Sequence, residues 1–331
     1  MKTPDFWRAG TKSLMPLWLT PFSWLYRGLG QLRSFTSTSS VAVPIICVGN
    51  VVAGGAGKTP VAVALAEFFK AEGKIPHFLS RGYGGKMKGP VRVVLDVHSF
   101  SDVGDEALIL AAVTPTWVSS DRVKGAAAAA NAGADVIIMD DGFQNPSLHK
   151  DLSLLVLDAR YGVGNGRLLP AGPLRESLAD GLARADAVVM VGDRGNNAAV
   201  IPDNFYKPVF KAKLVPTAID DAITDEEVVA FAGIGRPEKF FDSLLDVGCN
   251  LIKCFSYADH HVYTQQEIME MVELAAGRGA TLVTTRKDYV RLPVEAKMMV
   301  TVFDVELNFE APRELQRLLR SAVATKDQRR E

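Results

Sequence analysis

Cysteine, histidine and net charge are all scarce in this 331-residue chain. The three cysteines, Cys47, Cys249 and Cys254, sit in apolar, strand-like runs without the spacing of a metal site. That excludes a disulfide framework and a zinc module, and leaves reduced core thiols of a cytosolic protein as the expectation. Neither a C-x-x-C nor an H-x-x-x-H pair accompanies the five histidines. The 37 basic and 38 acidic residues leave a net charge of −1, so no whole-chain attraction to nucleic acid is expected. No stretch holds the roughly 18–20 uninterrupted apolar residues of a membrane span. No internal repeat is visible, and nothing marks an obligate protein partner. What is present is an ordinary globular balance, 48% hydrophobic and 23% charged, in a chain long enough for two cores.

The strongest signal is residues 43–69, where a short apolar run meets a glycine loop and then a helix. Val43, Ile45, Ile46 and Val48 read as a buried strand bounded by Pro44 and Gly49. Gly54, Gly55 and Gly57, with Ala56 between them, can turn successive backbone N–H groups toward an anion because glycine lacks a Cβ. Lys58 and Thr59 open the helix, with Pro60 in its first turn. A phosphate chain would meet the loop amides, the positive helix end and the Lys58 ammonium, leaving the Thr59 hydroxyl for Mg²⁺. The loop departs from the general Walker-A spacing, which would place glycine at Val52. It also departs from the partitioning-ATPase variant, because Ala53 stands where that variant has lysine.

A second run, 136–139, is apolar and ends in Asp140 and Asp141, the Walker-B form in which a buried strand delivers carboxylates to Mg²⁺. Other segments leave chemistry and structure both open. Ser80-Arg81-Gly82-Tyr83 follows a strand at 75–79 and suits either a substrate loop or a plain glycine turn. Asp105 and Glu106 fit a helix start better than chemistry. Arg122 opens an alanine-rich helix and either faces phosphate or is solvated. The turn at Thr284-Thr285-Arg286-Lys287-Asp288 is an anion contact or a solvated charged turn. Asp259-His260-His261 holds two of the five histidines between a strand and a helix.

The first 40 residues differ in kind. Three of the four tryptophans, Trp7, Trp18 and Trp24, lie there among Phe22, Leu25, Lys2, Arg8, Lys12, Arg27 and Arg33. That mixture suits a membrane interface, or a helical arm packed on the protein itself; Pro16 and Pro21 are expected to break any single helix. Alternating β/α signals then predict a mostly parallel sheet with helices on both faces, of P-loop NTPase type, over 41–205. Residues 192–204 read as a polar loop. Residues 206–227 read as an extended connector, and 228–331 as a second, smaller α/β domain whose last helix is free to return to the first. The tail 326–331 is expected to fray.

These motifs, in this order, resemble the tetraacyldisaccharide 4′-kinase family. The likeness runs through PFSWLY (21–26), GNVVAGGAGKTP (49–60), SRGYGG (80–85), VGDEA (103–107), DDGFQ (140–144), LPAGPLRE (169–176), FAGIGRP (231–237), DHHVYT (259–264) and TTRKD (284–288). The resemblance implies an enzyme that moves the ATP γ-phosphate to the 4′-hydroxyl of a tetraacyldisaccharide 1-phosphate in lipid A synthesis. It would work as a peripheral protein on the cytoplasmic face of the inner membrane, with ATP and Mg²⁺. It implies Asp105 as catalytic base tuned by His260, with His261 as the fallback, and Lys58 as a catalytic cation. Thr59, Asp140 and Asp141 would hold the metal, and residues 54–60 the nucleotide. Ser80, Arg81, Tyr83, Arg122, Gln144, Glu176 and His261 would face substrate. One departure is Asn145, where the family often has histidine. The competing readings are a partitioning-type switch ATPase and a soluble P-loop kinase or ligase.

Overall fold

The computed structural model describes residues 4–32, 37–192, 201–217 and 223–327. Lys2 and Arg33 of the arm, most of the polar loop at 192–204 and the end of the tail lie outside them.

A helix α1 (Met15–Leu32) precedes β1 (Ile45–Gly49), the glycine loop and α2 (Lys58–Ala71). Next come β2 (Pro76–Ser80), β3 (Val91–Arg92), α3 (Phe100–Val103), α4 (Asp105–Ala111), β4 (Thr116–Val118), α5 (Arg122–Asn131) and β5 (Val136–Asp140). They are followed by β6 (Leu152–Asp158), α6 (Leu178–Arg184), β7 (Ala187–Val191) and β8 (Val209–Pro216). The second series runs β9 (Glu227–Ala232), α7 (Pro237–Asp246), β10 (Asn250–Ser256), α8 (Gln265–Ala276) and β11 (Thr281–Thr285). It closes with α9 (Arg286–Tyr289), α10 (Val294–Lys297), β12 (Thr301–Phe303), β13 (Val305–Phe309) and α11 (Pro312–Asp327).

Among the described residues the strands form two sheets. The larger has nine strands in the order β13-β8-β7-β6-β1-β5-β2-β4-β3. β1 lies between β5 and β6, parallel to both; only the edge strands β3 and β13 run antiparallel to their neighbours. Every residue of β1, β5, β6 and β7 is buried, as a parallel sheet covered on both faces requires. α2, α4 and α11 cover one face through Val61, Leu65, Phe69, Leu110, Leu315 and Leu319. α5 and α6 cover the other through Ala126, Ala129 and Leu182. The smaller sheet, β10-β9-β11-β12, is parallel, with α8 and α10 on one side and α7 on the other.

Several local expectations are corrected. Residues 209–216 are extended, yet they form β8, paired on both edges inside the large sheet rather than linking two bodies. The chain end returns there too: β13 pairs with β8, and α11 ion-pairs Arg320 with Glu72 and Lys326 with Asp151. β4 was not anticipated; three residues are too few to show a period. β3 is only two residues long, and Met298, ahead of β12, is 95% exposed. Cys254 is exposed, because β10 is an edge strand with mostly open side chains.

The arm is one helix, not a broken pair. Pro16 occupies the first turn, where no internal bond is lost, and Pro21 is accommodated within the helix. The helix rests on residues 165–171 through Ser23 Oγ to the Leu168 carbonyl (2.9 Å) and Arg167 Nη1 to Thr20 Oγ1 (3.0 Å). Upstream, the Trp7 indole N–H donates to the Pro170 carbonyl and Asn165 to the Phe6 carbonyl. Trp18, Phe22, Trp24 and Leu25 are turned outward and exposed. No helix among the described residues is long and apolar enough to cross a membrane.

Candidate active site

The glycine loop leaves β1 at the centre of the sheet. Val52 is buried and bridges Leu174, while the Ala53 N–H donates to the Pro173 carbonyl. The position where the general pattern has glycine is therefore a core anchor here. The backbone freedom moves onward, to Gly54 at φ 109° and Gly57 at φ 88°. A Cβ on Gly57 would also meet Val191 Cγ1 at 3.2 Å. Gly57 caps α2, so the N-terminal amides and the buried Lys58 converge on one point.

Lys58 Nζ stands 3.6 Å from Asp141 Oδ1, and Arg175 Nη1 grips both Asp141 oxygens at 2.8 and 2.9 Å. Burial raises the Asp141 pKa, but Lys58 and Arg175 outweigh it and hold the carboxyl below its ordinary range. Asp141 sits at φ 53°, in the left-handed region that a non-glycine residue rarely adopts. Asp140 is the opposite case. Both its carboxylate oxygens are buried without a hydrogen-bond partner. Burial, then Glu106 and Asp141, push its pKa up against Lys58 and Arg122. A dry, bare carboxylate calls for a cation, and the oxygens of Asp140, Asp141 and Thr59 suit a hard divalent ion. No group of three or more His, Cys, Asp or Glu side chains among the described residues is placed to hold a metal ion by itself, so a metal would need ligands beyond protein carboxylates.

Asp105 opens α4, 3% exposed, where Gly104 at φ 87° lets the chain pass against the Tyr83 carbonyl. Its Oδ1 accepts from the Glu106 N–H (2.9 Å), and its Oδ2 lies 2.8 Å from His260 Nδ1. His260 comes from the loop after β10, so the contact joins the two sheets' units. Burial raises the Asp105 pKa, but the His260 hydrogen bond, Lys287 and Arg291 together hold it below the usual carboxylate range. The carboxylate is ionised at neutral pH.

A cavity of about 1590 Å³ joins the phosphate loop to His260; residues 53–60, Tyr83, Glu106, Asp141, Arg175, Arg236, His260 and Lys287 all line it, while Asp105 and Asp140 are not on its wall. Tyr83 also lies 5.6 Å, ring to ring, from His260. The other expected substrate residues stand off the cavity wall. Arg122 is buried, its Nη1 donating to the Ser119 carbonyl, and burial with Arg81 nearby lowers its pKa to about 10. Gln144 ties Glu176 (2.8 Å) to the Asn50 carbonyl (2.7 Å), and Glu176 pairs with Arg184. Ser80 is buried, bonded at 3.4 Å by the Gly82 N–H, while Arg81 is exposed. His261 is not brought to Asp105: it stacks on Tyr257 and bonds Glu267 at 3.1 Å. Asn145 uses its side-chain oxygen to cap the Ser147 N–H and hydroxyl.

Sequence reasoning gave four contributors no definite role. Arg175 lies in the LPAGPLRE run, but nothing there tied it to Asp141. Lys287, in the turn left open between an anion contact and a solvated face, reaches the carboxylates of Glu106 (3.4 Å) and Asp259 (3.8 Å). Arg236 donates to the Gly55 carbonyl in the phosphate loop and to Asp158. Arg291 touches Asp105, and nothing local marked it.

A P-loop at the centre of a parallel sheet, with a bare acid at the next strand's end and a buried acid-histidine pair across one cleft, defines a P-loop phosphotransferase architecture. The chain belongs to the tetraacyldisaccharide-1-P 4′-kinase family, whose model matches residues 15–324. It is 50% identical over 316 residues to the tetraacyldisaccharide 4′-kinase of Paramagnetospirillum magneticum, covering 94% of this chain and 96% of that one. It is 46% identical over 324 residues to that of Rhodospirillum rubrum, covering 96% and 97%. Among solved structures it resembles Aquifex aeolicus LpxK in complex with ATP, at a TM-score of 0.77 and 29% identity, over 93% of this chain and 99% of that one.

Proposed function

We propose that this protein transfers the γ-phosphate of ATP to the 4′-hydroxyl of a tetraacyldisaccharide 1-phosphate, giving the 1,4′-bisphosphate and ADP. The observation that carries the reading is the 2.8 Å contact between the buried Asp105 and His260, which lines one cavity with the phosphate loop. ATP lies with its phosphates on the amides of residues 54–59 and on Lys58. Thr59, Asp140 and Asp141 would hold Mg²⁺, which supplies neutralisation of phosphate charge. Lys58 adds a fixed cation where charge spreads over the transferring group. The 4′-oxygen forms its bond to γ-phosphorus as the bond to the bridging oxygen of ADP breaks, and the hydroxyl proton goes to Asp105. A carboxylate of low basicity suffices, because in a loose transfer the attacking hydroxyl becomes acidic only late. His260 holds the carboxylate oxygen in place, and Tyr83 borders the acceptor side.

The exposed Trp18, Phe22, Trp24 and Leu25 support a peripheral seat on the membrane, with the arm in the lipid interface and the cleft facing the acyl-anchored substrate. The proposed location is the cytoplasmic face of the inner membrane, where ATP is available. Labelled ATP, offered with the tetraacyl disaccharide 1-phosphate, with a deacylated analogue or with no acceptor, tests the reading. Label in the tetraacyl lipid supports it. Phosphate release without an acceptor would mark a switch ATPase, and transfer only to the deacylated sugar would mark a soluble kinase.

A further inference from the structure

Arg291 lies just beyond α9, in none of the glycine-rich or acidic motifs, and is 2% exposed. An arginine withdrawn from water needs partners for its donors. Nη2 donates to Asp288 Oδ1 (2.8 Å) and to the Gly233 carbonyl (3.0 Å), Nη1 to the His261 carbonyl (3.1 Å) and Nε to the Lys287 carbonyl (3.0 Å). Nε also stands 3.5 Å from Asp105 Oδ2, the oxygen that His260 contacts. The fork therefore reaches backbone on both sides of His260, because the Gly233 carbonyl also accepts from the His260 N–H. His260 itself is at φ 60°, a conformation that persists only when its surroundings over-determine it. Asp288, wholly buried, completes the frame by accepting from the Gly233 N–H (2.7 Å), the Tyr263 hydroxyl (2.6 Å) and Thr285.

We infer that Arg291 is a positioning residue for phosphoryl transfer: its guanidinium fixes the backbone flanking His260 and sets a permanent positive charge against Asp105. The inference rests on Asp105 being the base. Lysine could keep the charge but has no planar fork with which to hold the Gly233 and His261 carbonyls together. The titratable and charged groups facing Asp105 are His260 from the loop after β10, Lys287 from α9, Arg291, and Glu106 beside it on α4. Asp259 lies behind His260 and Lys287. Among these, Arg291 is held in place by the largest number of partners described above.

The test compares Arg291→Lys and Arg291→Met with wild type in lipid phosphorylation from pH 3 to 8, with folding checked by circular dichroism at each pH and ATP binding measured separately. Arg291→Met should lower kcat, leave ATP affinity within about twofold, and move the acidic limb of kcat upward by about one pH unit. Arg291→Lys should lower kcat by about tenfold with its acidic limb in place, since charge survives and the fork does not. Combined with His260→Ala, neither variant should add its full loss, because both act through one loop. An unmoved acidic limb in Arg291→Met, or losses that add fully with His260→Ala, would overturn the inference. If Arg291→Met does not fold, Arg291→Lys with near-normal kcat overturns it alone. Retention of turnover by Asp105→Ala would instead refute the base assignment on which it rests, so the two failures are distinguishable.

Discussion

Asp158 ends β6 with its side chain 3% exposed, and two cations of the second unit converge on one oxygen: Arg236 and Lys239, both at 2.8 Å. Its other oxygen accepts from the Arg160 and Tyr161 N–H groups. Burial raises its pKa, but Lys239 and Arg236 outweigh that and pull it from 3.8 to about 2. Asp158→Asn keeps an acceptor for the turn and removes the charge. The displacement converts to about 2 kcal/mol after allowing for water around Lys239, 35% exposed. The folded pKa lies below the unfolded one, so this stabilisation is complete above about pH 5. It falls to roughly half near pH 3 and vanishes below both values. Urea unfolding of wild type and variant at pH 7 and pH 3.2 reads the difference directly. Arg236 also donates to the Gly55 carbonyl, so the same variant should weaken ATP binding, by a few-fold, as the phosphate loop loses a tether. A stability difference below about 0.5 kcal/mol at pH 7, or one that does not shrink toward pH 3, would refute the reasoning.

The two histidines should separate in function. His260→Ala should cut lipid phosphorylation by on the order of tenfold or more, while His261→Ala should lower thermal stability first, because His261 serves Glu267 and Tyr257 rather than Asp105. Lys58→Met should reduce kcat by about a hundredfold or more, with the fold intact by circular dichroism. Trp18→Asp with Leu25→Asp should abolish flotation with anionic vesicles. The same pair should leave phosphorylation of detergent-dispersed substrate largely unchanged, since both side chains are exposed on α1.

The phosphate loop and the acids after β5 were legible because each is contiguous: glycines, a lysine and a buried strand within a few residues. The sheet's interior was legible for the same reason, since β1, β5, β6 and β7 are short, mostly apolar runs. What escaped reading depends on partners distant in sequence. β8 becomes part of the large sheet through β7 and through β13 from near the chain's end, a pairing no local pattern encodes. Asp105 read as a helix start, and that is also true; the residues alone did not disclose a histidine 155 positions away on its carboxylate. The family resemblance supplied that pair. It did not supply Arg291, whose role depends on burial and on backbone carbonyls. The helical continuity across Pro21 was hidden because one lost internal bond is tolerable in a helix docked along its length.

The most direct measurement is single-turnover transfer of labelled γ-phosphate to the tetraacyl disaccharide 1-phosphate, by wild type and Asp105→Ala, with MgATP binding measured on the same samples. The account predicts labelled lipid from wild type, and a loss of about a hundredfold or more in the variant at unchanged ATP affinity. Near-normal transfer by Asp105→Ala, or no labelled lipid from wild type, would contradict it.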